Sequence, residues 1–167
     1  MVFDPHRALY VALSNSDRIA VVDVDKRKAI KFLSTSLPGQ RQLGAYPNSL
    51  ALNSEASKLY VANAGSDAVA VLNVKAQQQV CVDDCKREGS GLQFHSDAAS
   101  TTFLPTEWYP TAIAVHGDDL LIATGKGTGS GPNNIPRRPD EPGFRKGYTY
   151  LPTLLKGSLA RVNLKEV

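Results

Sequence analysis

The stretch Leu9-Tyr10-Val11-Ala12 recurs as Leu59-Tyr60-Val61-Ala62, and each copy opens the same longer pattern. The first runs through Ser16-Asp17 to Ile19-Ala20-Val21-Val22-Asp23-Val24. The second runs through Ser66-Asp67 to Val69-Ala70-Val71-Leu72-Asn73-Val74. Self-similarity at a period of ~40–50 residues marks an array of stacked supersecondary units, because one unit cannot bury its apolar faces alone. This constrains the fold far more than it constrains the function.

A third copy is interrupted. Pro47-Asn48-Ser49-Leu50-Ala51-Leu52 precedes the second copy, and Pro110-Thr111-Ala112-Ile113-Ala114-Val115 matches it. Leu120-Leu121-Ile122-Ala123 then stands in the place of Leu59-Tyr60-Val61-Ala62. The next run, Ser158 to Leu164, matches Ala68 to Val74 only after an insertion at 125–157. The repeat units therefore run 1–46, 47–109 and 110–167 within one domain spanning 1–167.

The apolar runs are four to six residues long, rich in Val, Ile, Leu, Tyr and Ala, and bounded by Asn, Asp, Gly and Ser turns. Such runs are strands, and their near-continuous apolarity predicts sheets covered on both faces. Ala29 to Leu33 and Thr101 to Leu104 supply a fourth strand for the first two units. The expected fold is all-β, a partial β-propeller of about three blades, each a four-stranded antiparallel sheet.

Pro-x-x-Leu-Ala-Leu, a turn, Leu-Tyr-Val-Ala-Asn, a turn, then Val-Ala-Val-Leu-Asn-Val resembles the YVTN-type β-propeller repeat. Trp108 to Ala112, Gly125 to Asn133 and Leu154 to Gly157 resemble bacterial YVTN-type propellers that precede a phosphoesterase domain. That resemblance implies a periplasmic or extracellular location, although the N-terminus shows no charged leader, apolar stretch and cleavage site. Propellers close with four to eight blades. Three blades are therefore expected to belong to a longer propeller, with its remaining blades as partners. The alternative is a ring completed by self-association.

The insertion holds seven of the thirteen glycines and five of the ten prolines, so it is a long loop rather than a further blade. Its basic residues Lys126, Arg137, Arg138, Arg145, Lys146 and Lys156 face only Asp140 and Glu141, so it carries the excess charge of a chain that is +3 overall. In an up-and-down blade, the connection after the second strand and the connection to the next blade share one face of the disc. Tyr46, Trp108 and Tyr109 are thus expected on the same face as Lys126, Arg137 and Arg138. Aromatics beside cations suit recognition of a protein or a small anion. Packing of Trp108 and Tyr109 as a support beneath the insertion explains the same placement.

Other motifs yield less. Gly125 to Gly131 fits neither the P-loop nor the dinucleotide template, though its backbone amides could form an anion nest beside Lys126. Cys81 and Cys85 suit a local disulfide in an exported protein or two free thiols, which titration with and without reductant separates. They make an incomplete metal site, since no paired His or Cys is near. His6, His95 and His116 form no catalytic constellation. Asp17 and Asp67 recur in equivalent turns, where each is expected to cap its own turn. No catalytic residue, metal site or cofactor is expected. The modest charge does not interleave with aromatics as nucleic-acid binding requires, and no apolar run reaches the ~18 residues of a membrane span. Two functions fit. One is a non-catalytic interaction scaffold. The other is the propeller region of a metal-dependent phosphoesterase whose catalytic domain lies outside this chain. Phosphatase activity of the chain alone, surviving repurification, would contradict both.

Overall fold

A computed structural model describes residues 1–5, 7–74, 101–127 and 156–166. Eleven strands occur among them: β1 (Val2–Phe3), β2 (Ala8–Leu13), β3 (Arg18–Asp23), β4 (Lys28–Ser34), β5 (Pro47–Leu52), β6 (Lys58–Asn63), β7 (Ala68–Asn73), β8 (Thr101–Pro105), β9 (Trp108–His116), β10 (Asp119–Gly127) and β11 (Ser158–Asn163). The described residues contain no α-helix, only a single 3-10 turn at Ser14–Ser16.

The strands form three antiparallel meanders, β1 to β4, β5 to β8 and β9 to β11. The third sheet has three strands among the described residues. Registers repeat with the sequence. Tyr10 faces Val21 across β2 and β3, Tyr60 faces Val71 across β6 and β7, and Leu121 faces Arg161 across β10 and β11. Gly117, at φ +58, opens the tight turn between β9 and β10, a conformation that glycine adopts without a Cβ clash.

The second sheet is the middle layer. One face carries Leu59, Val61, Ala70, Leu72 and Val74 and packs on Tyr10, Ile19, Val21 and Leu33 of the first sheet. The other carries Ala51, Tyr60, Ala62, Val69 and Val71 and packs on Ile113, Leu120 and Ile122 of the third. Covering on both faces explains why β7 reads Ala-Val-Ala-Val-Leu rather than alternating with polar residues. Each fully buried Leu or Ile here contributes roughly 1.5–3 kcal/mol. Polar stitches align the layers. Ser14 Oγ donates to the Pro47 carbonyl (2.6 Å), Asn48 Nδ2 to that of Pro110 (3.1 Å), and Asn63 Nδ2 to that of Thr35 (2.7 Å).

Tyr10 brings a polar tip into the first junction. Burial, then the charge of Asp4 and a hydrogen bond to it, push its hydroxyl up to about 12. Between pH 10 and 12 the unfolded chain releases a proton that the native state keeps, so stability falls as pH rises through this window. The loss is about 2–3 kcal/mol at its upper end. Urea titrations at stepped alkaline pH should show this slope, and Tyr10→Phe should flatten it. An unchanged slope in the variant would assign the alkaline loss elsewhere.

Candidate functional site

The junctions between sheets bring together the connection that enters each new sheet and the turn after the second strand of a neighbouring one. Asp17 follows the 3-10 turn in the left-handed region (φ 50, ψ 40) and is 1% exposed. Its carboxylate accepts hydrogen bonds from the backbone amides of Gly44 (2.7 Å), Ala45 (3.0 Å) and Tyr46 (3.1 Å), and from Gln40 Nε2 (3.0 Å). Asp67 repeats the device by accepting from the Tyr109 amide (2.9 Å). The sequence expectation is corrected here. These aspartates do not cap their own turns but hold the chain that leads into the next sheet, because the turn directs the carboxylate across the junction, where unpaired amides converge.

The amides so held belong to Tyr46 and Tyr109, which both lie at positive φ (49 and 65). A side chain in this region costs about 1–2 kcal/mol, which the amide-to-carboxylate bond offsets. Tyr46 is 48% exposed, and its ring edge lies against Gly65.

At the third sheet the insertion leaves from β10 and returns into β11. Thr124 pairs with Ser158, their hydroxyls are 2.5 Å apart, and the Ser158 amide donates to Thr124 Oγ1 (3.2 Å). Gly157 crosses so close to the Thr124 carbonyl that a Cβ would stand 2.6 Å from that oxygen. The root of the insertion is thus fixed beside the start of β9, where Gly127 faces Trp108.

Counting from the Thr124/Asn63 equivalence, Lys126 stands where Gly65 stands in the second repeat. Its ammonium lies 3.8 Å from the Tyr109 ring centroid and 5.4 Å from that of Trp108. Both distances fall within cation–π range, worth roughly 0.5–1 kcal/mol at partly exposed sites. The contact fixes the end of a flexible side chain, while ammonium N–H groups that point away from the rings remain able to donate to an anion.

Of the six residues singled out from the sequence, Trp108, Tyr109 and Lys126 are brought together. Tyr46 sits apart, at the preceding junction. Arg137 and Arg138, like Cys81 and Cys85, lie outside the described residues. Asp17 was singled out from the recurrence of Ser-Asp, but only as a turn cap; its hold on the Tyr46 amide and the place of Gly65 against the Tyr46 ring were not recognised from the sequence. An open depression of about 520 Å³ adjoins Tyr46, lined in part by Leu37, Gln40, Leu43 and Ser66. Its Gln40 amide is committed to Asp17 and to the Gln42 carbonyl (2.7 Å). Among the described residues, no group of three or more His, Cys, Asp and Glu is placed to hold a metal.

Meandering sheets of four, four and three strands among the described residues, packed face to face in chain order, define an all-β protein of β-propeller type. Solved structures of that type are similar to it. A hydrazine synthase chain from Kuenenia stuttgartiensis superposes with a TM-score of 0.50 at 16% identity, over 71% of this chain and 26% of that one. Sqt1 from Saccharomyces cerevisiae gives a TM-score of 0.44 at 16% identity, over 70% of this chain and 25% of that one. The chain thus spans about a quarter of the length of these neighbours, and the likeness concerns fold alone. No family model matches the sequence, and no curated protein does.

Proposed function

We propose that this chain is a non-catalytic β-propeller module of the YVTN repeat type, acting as an interaction scaffold within a longer exported bacterial protein. Its recognition surface is the rim that bears Trp108, Tyr109 and Lys126, extended by Tyr46 and by Arg137 and Arg138 of the insertion. The ligand is a small anion or an acidic segment of a partner protein. A Cys81–Cys85 disulfide accords with the exported location. The observation that carries the reading is the Lys126 ammonium held over two aromatic rings at the root of the basic loop. A positioned cation loses less entropy on binding than a free one, and the sequence that follows Lys126 carries mostly positive charge.

Trp108 is the sole tryptophan, so its fluorescence reports directly from the site. Inorganic phosphate and a hexaglutamate peptide are the two probes, and they separate a small-anion ligand from an acidic peptide. One of them should shift Trp108 emission saturably at low salt. Lys126→Gln should weaken that binding by about tenfold or more, as loss of a charge-assisted hydrogen bond requires. Silence of Trp108 toward both probes, or equal binding by the variant, would refute the assignment.

A further inference from the structure

Three buried side-chain oxygens among the described residues have no hydrogen-bond partner: Thr35 Oγ1, Asn63 Oδ1 and Ser66 Oγ. All three belong to one corner of the junction between the first and second sheets. Asn63 ties the corner together. Its Nδ2 donates to the Thr35 carbonyl (2.7 Å), and its own carbonyl accepts from the Ser66 amide (3.2 Å). Thr35 and Asn63 are both 0% exposed. Oxygens buried in this way are nearly always hydrogen-bonded, because burial takes away the solvent they would otherwise bind.

The repeat supplies an internal control. Thr106 stands where Thr35 stands, since the amides of both donate to the backbone carbonyl of the clamping aspartate, Asp67 for Thr106 (2.8 Å) and Asp17 for Thr35 (3.0 Å). Thr124 stands where Asn63 stands. The second junction leaves neither hydroxyl unpaired. Thr106 Oγ1 donates to the Glu107 carbonyl (2.9 Å), and the Thr124 hydroxyl is paired with that of Ser158. The first junction lacks this remedy. The residue across from Asn63 is Ala68, where the residue across from Thr124 is Ser158, and alanine has no hydroxyl to offer. Turning the Asn63 carboxamide over does not help, because its oxygen would then face the Thr35 carbonyl.

We infer that this corner is the binding site of one buried water, held between Thr35 Oγ1 and Asn63 Oδ1 with Ser66 Oγ as its third partner. Asn63 Oδ1 only accepts, so the guest must donate, and the two hydroxyls serve either way. A guest small enough to be enclosed there, and able both to donate and to accept, is water. It joins the first sheet to the second as a direct hydrogen bond would. Ser66 also lines the open depression beside Tyr46, so the site has a route to solvent behind a single side chain. The inference concerns the junction alone and stands apart from the scaffold reading and its ligand.

Two measurements on the 167-residue chain test it. A high-resolution crystal structure should show an isolated density peak within hydrogen-bond distance of Thr35 Oγ1 and Asn63 Oδ1. A direct bond between these two side chains, or a corner without density, would overturn the inference. In solution, Thr35→Val keeps the shape of the side chain and the amide bond to Asp17 and removes only the hydroxyl. It should raise the unfolding equilibrium constant on the order of fivefold, because the water loses an anchor and holds Asn63 less well. An unchanged or lowered constant would count against the site, since removing a hydroxyl that truly has no partner is neutral or stabilising. Ser66→Ala should raise the constant less than Thr35→Val does, and the double variant should show less than the product of the two effects, as sharing one water requires. Independent effects would mean that Ser66 and Thr35 do not share a guest.

Discussion

Asp17→Ala is expected to lower stability by about 3–5 kcal/mol, a large share of what a domain of this size has. The carboxylate, on a residue only 1% exposed, gathers the amides of Gly44, Ala45 and Tyr46 and the side-chain amide of Gln40. Removing it leaves several donors without acceptors, and each orphaned buried donor costs about 1–3 kcal/mol. Asp17→Asn should recover little, since its amide nitrogen would face another N–H group. Asp67→Ala should cost less, about 1–2 kcal/mol, because Asp67 is half-buried and accepts only from Tyr109 among the described residues. Urea midpoints of the three variants give the order directly. A change within ~0.5 kcal/mol for Asp17→Ala would mean that the 44–46 connection finds other acceptors.

Gly65→Ala is expected to cost about 3 kcal/mol through overpacking, even though Gly65 lies at the surface. An added Cβ would run into the carbonyl oxygen of Gly44 and the ring of Tyr46. Neither can give way easily. The Gly65 amide donates to the Ala45 carbonyl at 2.9 Å, and the 44–46 backbone is clamped by Asp17. Gly44→Ala is the control. Its nearest neighbour would be Gln40 Nε2 at 4.0 Å, ordinary contact, so a change within ~0.5 kcal/mol is expected. Thermal melts of the two alanine variants should differ widely, and equal melting would show that the connection shifts to accommodate the methyl group.

Strand identity was legible because repetition supplied it several times over. Leu-Tyr-Val-Ala marked β2 and β6, and its weaker echo Leu-Leu-Ile-Ala marked β10 despite the insertion. Even β4 and β8, which share little sequence, were placed by their β-branched and aromatic runs. The placement of Lys126 with Trp108 and Tyr109 followed from topology, since adjacent meanders send alternate connections to one face. The partner of Asp17 was not legible. Its bonds reach amides 27 to 29 residues away, and a turn motif carries no information about what lies across a junction. The left-handed tyrosines were hidden for the same reason. An aromatic residue has no intrinsic preference for φ near +50°, so Tyr46 and Tyr109 adopt it only because a distant carboxylate holds their amides.

The root of the insertion has an evolutionary consequence. Thr124 and Ser158 are neighbours on adjacent strands, so the loop leaves and re-enters across a gap of about 5 Å, the spacing of one strand pair. The second sheet spans the equivalent gap with the four residues Ala64 to Asp67. Loop length is therefore decoupled from the sheet beneath it, and a segment of any size can be exchanged there at little cost in closure entropy. Selection can rewrite the sequence inserted at this point while the strands on either side of it stay the same.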